Sequence, residues 1–240
     1  MATKKGASLP AAPAVKDRRK RRTMSQNDML TYWTDKGILI PERKIYLGSV
    51  TTDVDGSESG VDAAMARQFE IQMTMLEYFD KKTPITVVMN NMGGDQYHSM
   101  AIYDRIMGSP CPVYMHATGY VMSGGSIILQ AADKRLLSRN ATLMIHYGTC
   151  AAEGHKLEVE RSADEFRRLR IDMEEIYLAQ MQKKDKTMTI EKLRGMMQFD
   201  LYLDPNKAIR LGLADSIIPW PKHKKVKPKQ VPTAQETPPE

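Results

Sequence analysis

From Lys44 to Ile217 the chain alternates two patterns: short unbroken apolar runs, and longer stretches in which apolar residues return every three or four positions. KIYLGSV (44–50) has the length and composition of a strand, followed by a loop around Asp55-Gly56-Ser57. Val61, Met65, Phe69, Met73, Leu76 and Phe79 then repeat at helical spacing, so Val61 to Phe79 reads as an amphipathic helix. ITVVMNN (85–91) is a β-branched run with the look of a buried strand, stopped by Met92-Gly93-Gly94. Residues 95–108 read as a helix ending at Gly108, with Pro110 and Pro112 beyond it.

The next unit repeats this logic. VYMHATG is a strand, a helix opens at Ser123 or Gly124, and Leu136-Leu137 and TLMIHYG (142–148) are strands after it. From His155 to Lys184 the pattern predicts one long charged helix with a narrow apolar stripe, Val159, Phe166, Leu169, Met173 and Ile176. So thin a stripe suits packing against something narrow, such as a second subunit. Strands alternating with helices at this spacing predict an α/β fold with helices covering the sheets.

Charge divides the chain into three. Of the formal net charge of +6, residues 1–24 and 221–240 carry about +10 between them, which leaves 25–220 mildly acidic at about −4. We therefore expect a folded domain over 25–220 between a disordered basic N-terminal tail or leader (1–24) and a disordered Lys/Pro-rich tail (221–240). A nucleic-acid-binding domain needs its basic and aromatic residues on the folded part, so nucleic acid is not an expected partner. No apolar run approaches the roughly 18 residues of a membrane span, and the polar N-terminus lacks the apolar core of a secretory signal. Cys111 and Cys150 are isolated and without zinc-ligand spacing, which fits a disulfide-free intracellular protein.

Two strand-to-helix junctions, Asn90 to Asp95 and Gly119 to Gly125, are rich in glycine. Glycine lets the backbone lie close to a ligand, and N–H groups at a helix start have no partner within the helix. Two such N–H groups brought together form an oxyanion hole, in which one donor is typically worth about 3 to 4 kcal/mol. A serine beside that hole needs a base, and the base needs an orienting acid. His146, at the end of an apolar strand, and Asp200 are candidates. Each has an ordinary alternative: Ser123 as a helix cap, His146 as a structural strand-end residue, Asp200 as a loop residue or cap. Asp204, before Pro205, reads as a cap; Ser126 and Cys150 are weaker rivals for nucleophile.

Taken together, Gly93-Gly94, IYDRI (102–106), GYVMSGGSIILQAA, LMIH (143–146) and DLYLDPNKAIRLGLADSI (200–217) resemble the proteolytic subunits of Clp proteases, the ClpP family, from about Arg43 to Ile218. The resemblance implies a ClpP/crotonase-like spiral of β-β-α units with a long handle helix, here about 155–184. It implies a serine endopeptidase with Ser123 as nucleophile, His146 as base and Asp200 as acid, and with the N–H groups of Gly94 and Gly124 as oxyanion hole. It further implies a homo-oligomer of heptameric rings stacked as a tetradecamer, unfolded polypeptides as substrates, and a separate AAA+ unfoldase as the only user of ATP. No phosphate-binding G-x-x-x-x-G-K-[ST] loop occurs in the chain, and the chemistry calls for no metal or cofactor. Cytoplasm is the expected compartment, or an organelle stroma or matrix if the basic N-terminus is a leader.

Two motifs depart from the family's. Tyr147-Gly148 stands where Gln-Pro usually follows the histidine, and Asn91-Met92 where Ser-Pro usually precedes the glycines. Both bear on docking of a substrate strand more than on the triad. No axial N-terminal segment is recognisable before Arg43. The competing readings are a virus-encoded maturation protease of the same chemistry, a non-catalytic ring subunit, and an acyl-CoA enzyme of the enoyl-CoA hydratase type.

Overall fold

The computed structural model describes residues 24–49 and 59–220. The two expected tails, apart from Met24, and the Asp55-Gly56-Ser57 loop lie outside the described residues. The first element, helix α1 (Gln26–Lys36), had no apolar periodicity to announce it and buries none of its residues. Its ends carry the signal instead: a Ser25/Asp28 capping box at the start and Gly37 in the left-handed conformation at the stop.

Strands β1 (Ile38–Leu39) and β2 (Lys44–Gly48) pair antiparallel. Helix α2 (Ala63–Phe79) starts two residues later than its periodicity predicts, because Val61 is held in a β-bridge with Gly94 and Asp62 caps the helix. Phe69, Met73 and Leu76 are buried as expected, whereas Phe79 is exposed at the helix end. Fully burying one such side chain stabilises the fold by roughly 1.5–3 kcal/mol. Strand β3 (Ile85–Asn91) buries alternate residues and runs parallel to β2, and helix α3 (Gln96–Met107) follows it.

Strand β4 (Val113–Met122) is longer than VYMHATG and is the hinge of the architecture. Its first half pairs parallel with β3 and with β5 (Lys134–Leu137), and its last three residues pair with β6 (Thr142–Ile145). The change of partner occurs at a bulge. Met89 pairs with Ala117 but Asn91 with Val121, and the extra residues turn at Gly119 (φ 61°) while the Asn90 side chain accepts from the Tyr120 N–H at 3.1 Å. Helix α4 (Gly124–Leu129) continues from the bent end of β4 into the core, with all six residues buried.

Helix α5 (Lys156–Lys184), capped by His155, is the expected long helix. Its buried face differs from the expected stripe. Leu169 and Met173 are buried, but the face continues through Glu174, Tyr177 and Met181, while Val159, Phe166 and Ile176 are only partly covered. Helix α6 (Ile190–Met196), strand β7 (Leu201–Leu203), helix α7 (Pro205–Arg210) and strand β8 (Ser216–Ile217) complete the chain. The main sheet order is β1-β2-β3-β4-β5-β8, parallel from β2 onward, with β6 and β7 as a side branch from the end of β4. Strand β8 is fastened to β5 by the Arg135–Asp215 ion pair.

Candidate active site

Ser123 stands between β4 and α4 with φ 50° and ψ −127°. Only Arg43 shares a positive φ among the described non-glycine residues. Such a conformation costs on the order of 1–3 kcal/mol and persists only where the surroundings enforce it. Here the Ser123 N–H donates to the Met144 carbonyl of β6 at 3.0 Å, and the Ser123 carbonyl accepts from the N–H of Ser126 at 2.9 Å. The Ser123 side chain makes no capping bond to α4, so the ordinary reading of this residue as a helix cap does not hold.

His146 follows the last residue of β6, and Asp200 precedes the first residue of β7. Because Ile145 pairs with Leu201 across that antiparallel ladder, His146 and Asp200 fall opposite each other one step further out. The imidazole Nδ1 lies 3.1 Å from Asp200 Oδ1. With Nδ1–H donating to the carboxylate, Nε2 carries the lone pair. That Nε2 is buried and has no hydrogen-bond partner among the described residues. His146, Ser123, Gly94 and Gly124 all line one open cavity of about 380 Å³, whose lining also includes Ile127, Phe166, Leu169 and Met173. The Ser123–His146 hydrogen bond itself is not formed in this state; such bonds often tighten only around a substrate.

The glycine loop after β3 reaches the same cavity. Asn91 is buried and accepts from the Gly93 N–H at 2.8 Å, while Val61 N donates to the Gly93 carbonyl at 2.7 Å. Gly93, at φ 94°, has no room for a side chain: a Cβ there would lie 2.6 Å from Ser123 Cβ and 2.7 Å from Gly124 N. A Cβ on Gly124 would overlap the Ser99 hydroxyl and lie 3.5 Å from Gly94 N. The two junctions thus meet with bare backbone, and Gly94 and Gly124 line the same cavity.

The rivals separate cleanly. Ser126 is fully buried and engaged with Tyr177 and with the Ser123 carbonyl. Cys150 is exposed on the loop that borders the cavity. Asp204 caps α7 by accepting from Lys207 N at 2.9 Å, as its position before Pro205 suggests. Among the described residues no group of three or more His, Cys, Asp and Glu side chains is arranged to hold a metal ion, and no helix is long and apolar enough to cross a membrane.

The family model for Clp protease matches residues 40–220. The chain belongs to the Clp protease family. It is 30% identical over 182 residues to the ATP-dependent Clp protease proteolytic subunit of Deinococcus radiodurans, a match covering 75% of this chain and 82% of that one. Membership makes it a ClpP-like proteolytic subunit, a serine protease and hence a hydrolase, and the mixed α/β architecture is consistent with the Clp protease fold.

Two features of this Clp protease site lay outside the sequence reading. The first is a buried carboxylate on α5. Glu174 accepts from Tyr147 Oη at 2.9 Å and from Arg194 of α6 at 2.8 to 3.2 Å. Burial pushes the Glu174 pKa up, but the hydrogen bonds from Arg194 and Tyr147 outweigh it and hold the carboxyl below the usual range. Burial and that same bond push the Tyr147 phenol up to about 12, so it stays a donor. Glu174 thereby ties the residue after His146 to the helix that leads into Asp200. The second is Tyr177, one turn further along α5, whose hydroxyl lies 2.6 Å from Ser126 Oγ. Both were hidden because an apolar-periodicity argument discards polar residues, even where they turn toward the core.

Proposed function

We propose that residues 25–220 are a proteolytic unit that hydrolyses peptide bonds through Ser123, His146 and Asp200, with the N–H groups of Gly94 and Gly124 as oxyanion donors. The observation that carries the assignment is the imidazole, with Nδ1 engaged by Asp200 and Nε2 buried, unpartnered and in the wall of the cavity that Ser123 lines.

In the reaction, Ser123 Oγ bonds to the scissile carbonyl carbon as its proton passes to His146 Nε2. The carbonyl electron pair moves onto oxygen, where the two backbone N–H groups receive it. Asp200 holds the ring in the tautomer that leaves Nε2 free and stabilises the imidazolium. Collapse of the intermediate breaks the C–N bond, and His146 returns the proton to the departing amine. Water, deprotonated by the same base, then releases the acyl group and regenerates the serine. Each step uses only side chains and backbone of this chain, with no cofactor.

The substrates are unfolded polypeptides, admitted to a chamber built from rings of identical subunits in the cytoplasm, with ATP consumed by a separate unfoldase. The resemblance of the α5 segment to the family's handle helix supports the ring arrangement, and the name of the Deinococcus relative supports the coupling to ATP. The test is labelling by a fluorophosphonate probe with peptide mapping, on wild type and Ser123→Ala. Labelling at Ser123 that the substitution abolishes is the expected result. Absence of labelling in an assembled sample favours a non-catalytic subunit, and labelling at Ser126 overturns the choice of serine.

A further inference from the structure

We infer that Tyr177 and Ser126 are positioning residues for the oxyanion hole, a hydrogen-bond chain from α5 that clamps the peptide plane whose N–H is the Gly124 donor. The inference rests on the reading of Ser123 and Gly124 given above.

The direction of the chain follows from donor counting. Ser126 Oγ lies 2.6 Å from the Ser123 carbonyl oxygen and 2.6 Å from Tyr177 Oη. A carbonyl only accepts, so Ser126 must give it its single proton. Tyr177 must then donate its own proton to Ser126. Burial raises the Tyr177 phenol above its ordinary value, which keeps that proton in place. Both side chains are fully buried, so no water competes for the chain.

The carbonyl of Ser123 and the N–H of Gly124 belong to one peptide group. No cis peptide bond occurs among the described residues, so this one is trans and its C=O and N–H point in opposite directions. Drawing the carbonyl toward Ser126 in the interior therefore aims the Gly124 N–H outward. The backbone of α4 holds this carbonyl only in part: the Ser126 N–H approaches at 2.9 Å, but the i→i+4 bond from Ile127 is stretched to 3.4 Å. The hydroxyl contact is the shortest of the three. Hydrogen bonds in series also polarise one another, which makes the Gly124 N–H a better donor. Because the peptide adjoins a residue at φ 50°, a conformation that relaxes unless held, the clamp acts where it is needed.

Tyr177→Phe removes one hydroxyl and little else, and Ser126→Ala removes the middle link. Each variant is to be compared with wild type for assembly by sedimentation, for kcat and KM on a fluorogenic peptide, and for affinity toward a peptide boronate, which forms a tetrahedral adduct on the nucleophile. We expect kcat to fall about tenfold, a fraction of the 10²–10³ that loss of a whole oxyanion donor costs, with KM within about twofold and boronate affinity falling in step. Links in one chain fail together, so the double variant should be no slower than the worse single one. Unchanged kcat, a loss that follows disassembly alone, or losses that multiply in the double variant would each overturn the inference. Fluorophosphonate labelling of wild type keeps the two readings apart: no labelling at Ser123 removes the site itself, whereas labelled wild type with a fully active Tyr177→Phe removes only the clamp.

Discussion

Asp200 reaches His146 from the surface, with 53% of its side chain exposed. An exposed pair contributes little to stability, typically under about 1 kcal/mol, so the role proposed for Asp200 rests on the tautomer it selects. Asp200→Asn should leave thermal stability nearly unchanged and lower kcat on a peptide substrate on the order of 10³-fold, short of the roughly 10⁴-fold typical of a buried triad aspartate. Asp204→Asn is the matched control. Asparagine caps a helix as well as aspartate does, so both activity and stability should stay at wild-type values. Full activity in Asp200→Asn with loss in Asp204→Asn would exchange the two assignments.

At the scale of elements, α5 sends two polar side chains inward one turn apart, Glu174 toward Tyr147, which follows His146, and Tyr177 toward Ser126. Glu174→Gln should cost roughly 1–3 kcal/mol in urea unfolding at neutral pH, since Arg194 is left facing a neutral amide. The folded carboxyl is held below its unfolded value, so its stabilisation is complete above about pH 4.3 and is lost as pH falls through the folded pKa. The gap between wild type and Glu174→Gln should therefore close on acidification below about pH 4.3. A gap independent of pH would show that shape, not charge, matters at this position. Strands and amphipathic helices were legible because apolar side chains in period follow directly from burial, as at Phe69, Met73 and Leu76. The candidate triad was legible only as separate residues at plausible element ends. What brings them together depends on contacts far apart in sequence: the bulge at Gly119, the β6–β7 register, and a tyrosine 51 residues from its serine partner. Helix α1, with no buried face, gave periodicity nothing to detect.

For the whole molecule, the single chain leaves Leu157 and Ile171 of α5 exposed, together with Phe199 and Tyr202 beside Asp200. Apolar surface of this kind is expected to be covered when subunits meet. Sedimentation velocity should find a species of many chains, and Ile171→Glu should shift it toward smaller forms while lowering peptidase activity at least tenfold. A monomer under all conditions would rule out the ring. The β6–β7 ladder also sets an order in time. Asp200 lies 54 residues after His146, and at a synthesis rate of about 5–20 residues per second that stretch takes roughly 3 to 11 s to emerge. Through that interval a growing polypeptide carries Ser123 and His146 without Asp200, while Tyr177 and then Arg194 are added on the way. On the proposed assignment, the triad is therefore incomplete until β7 has been made and paired with β6.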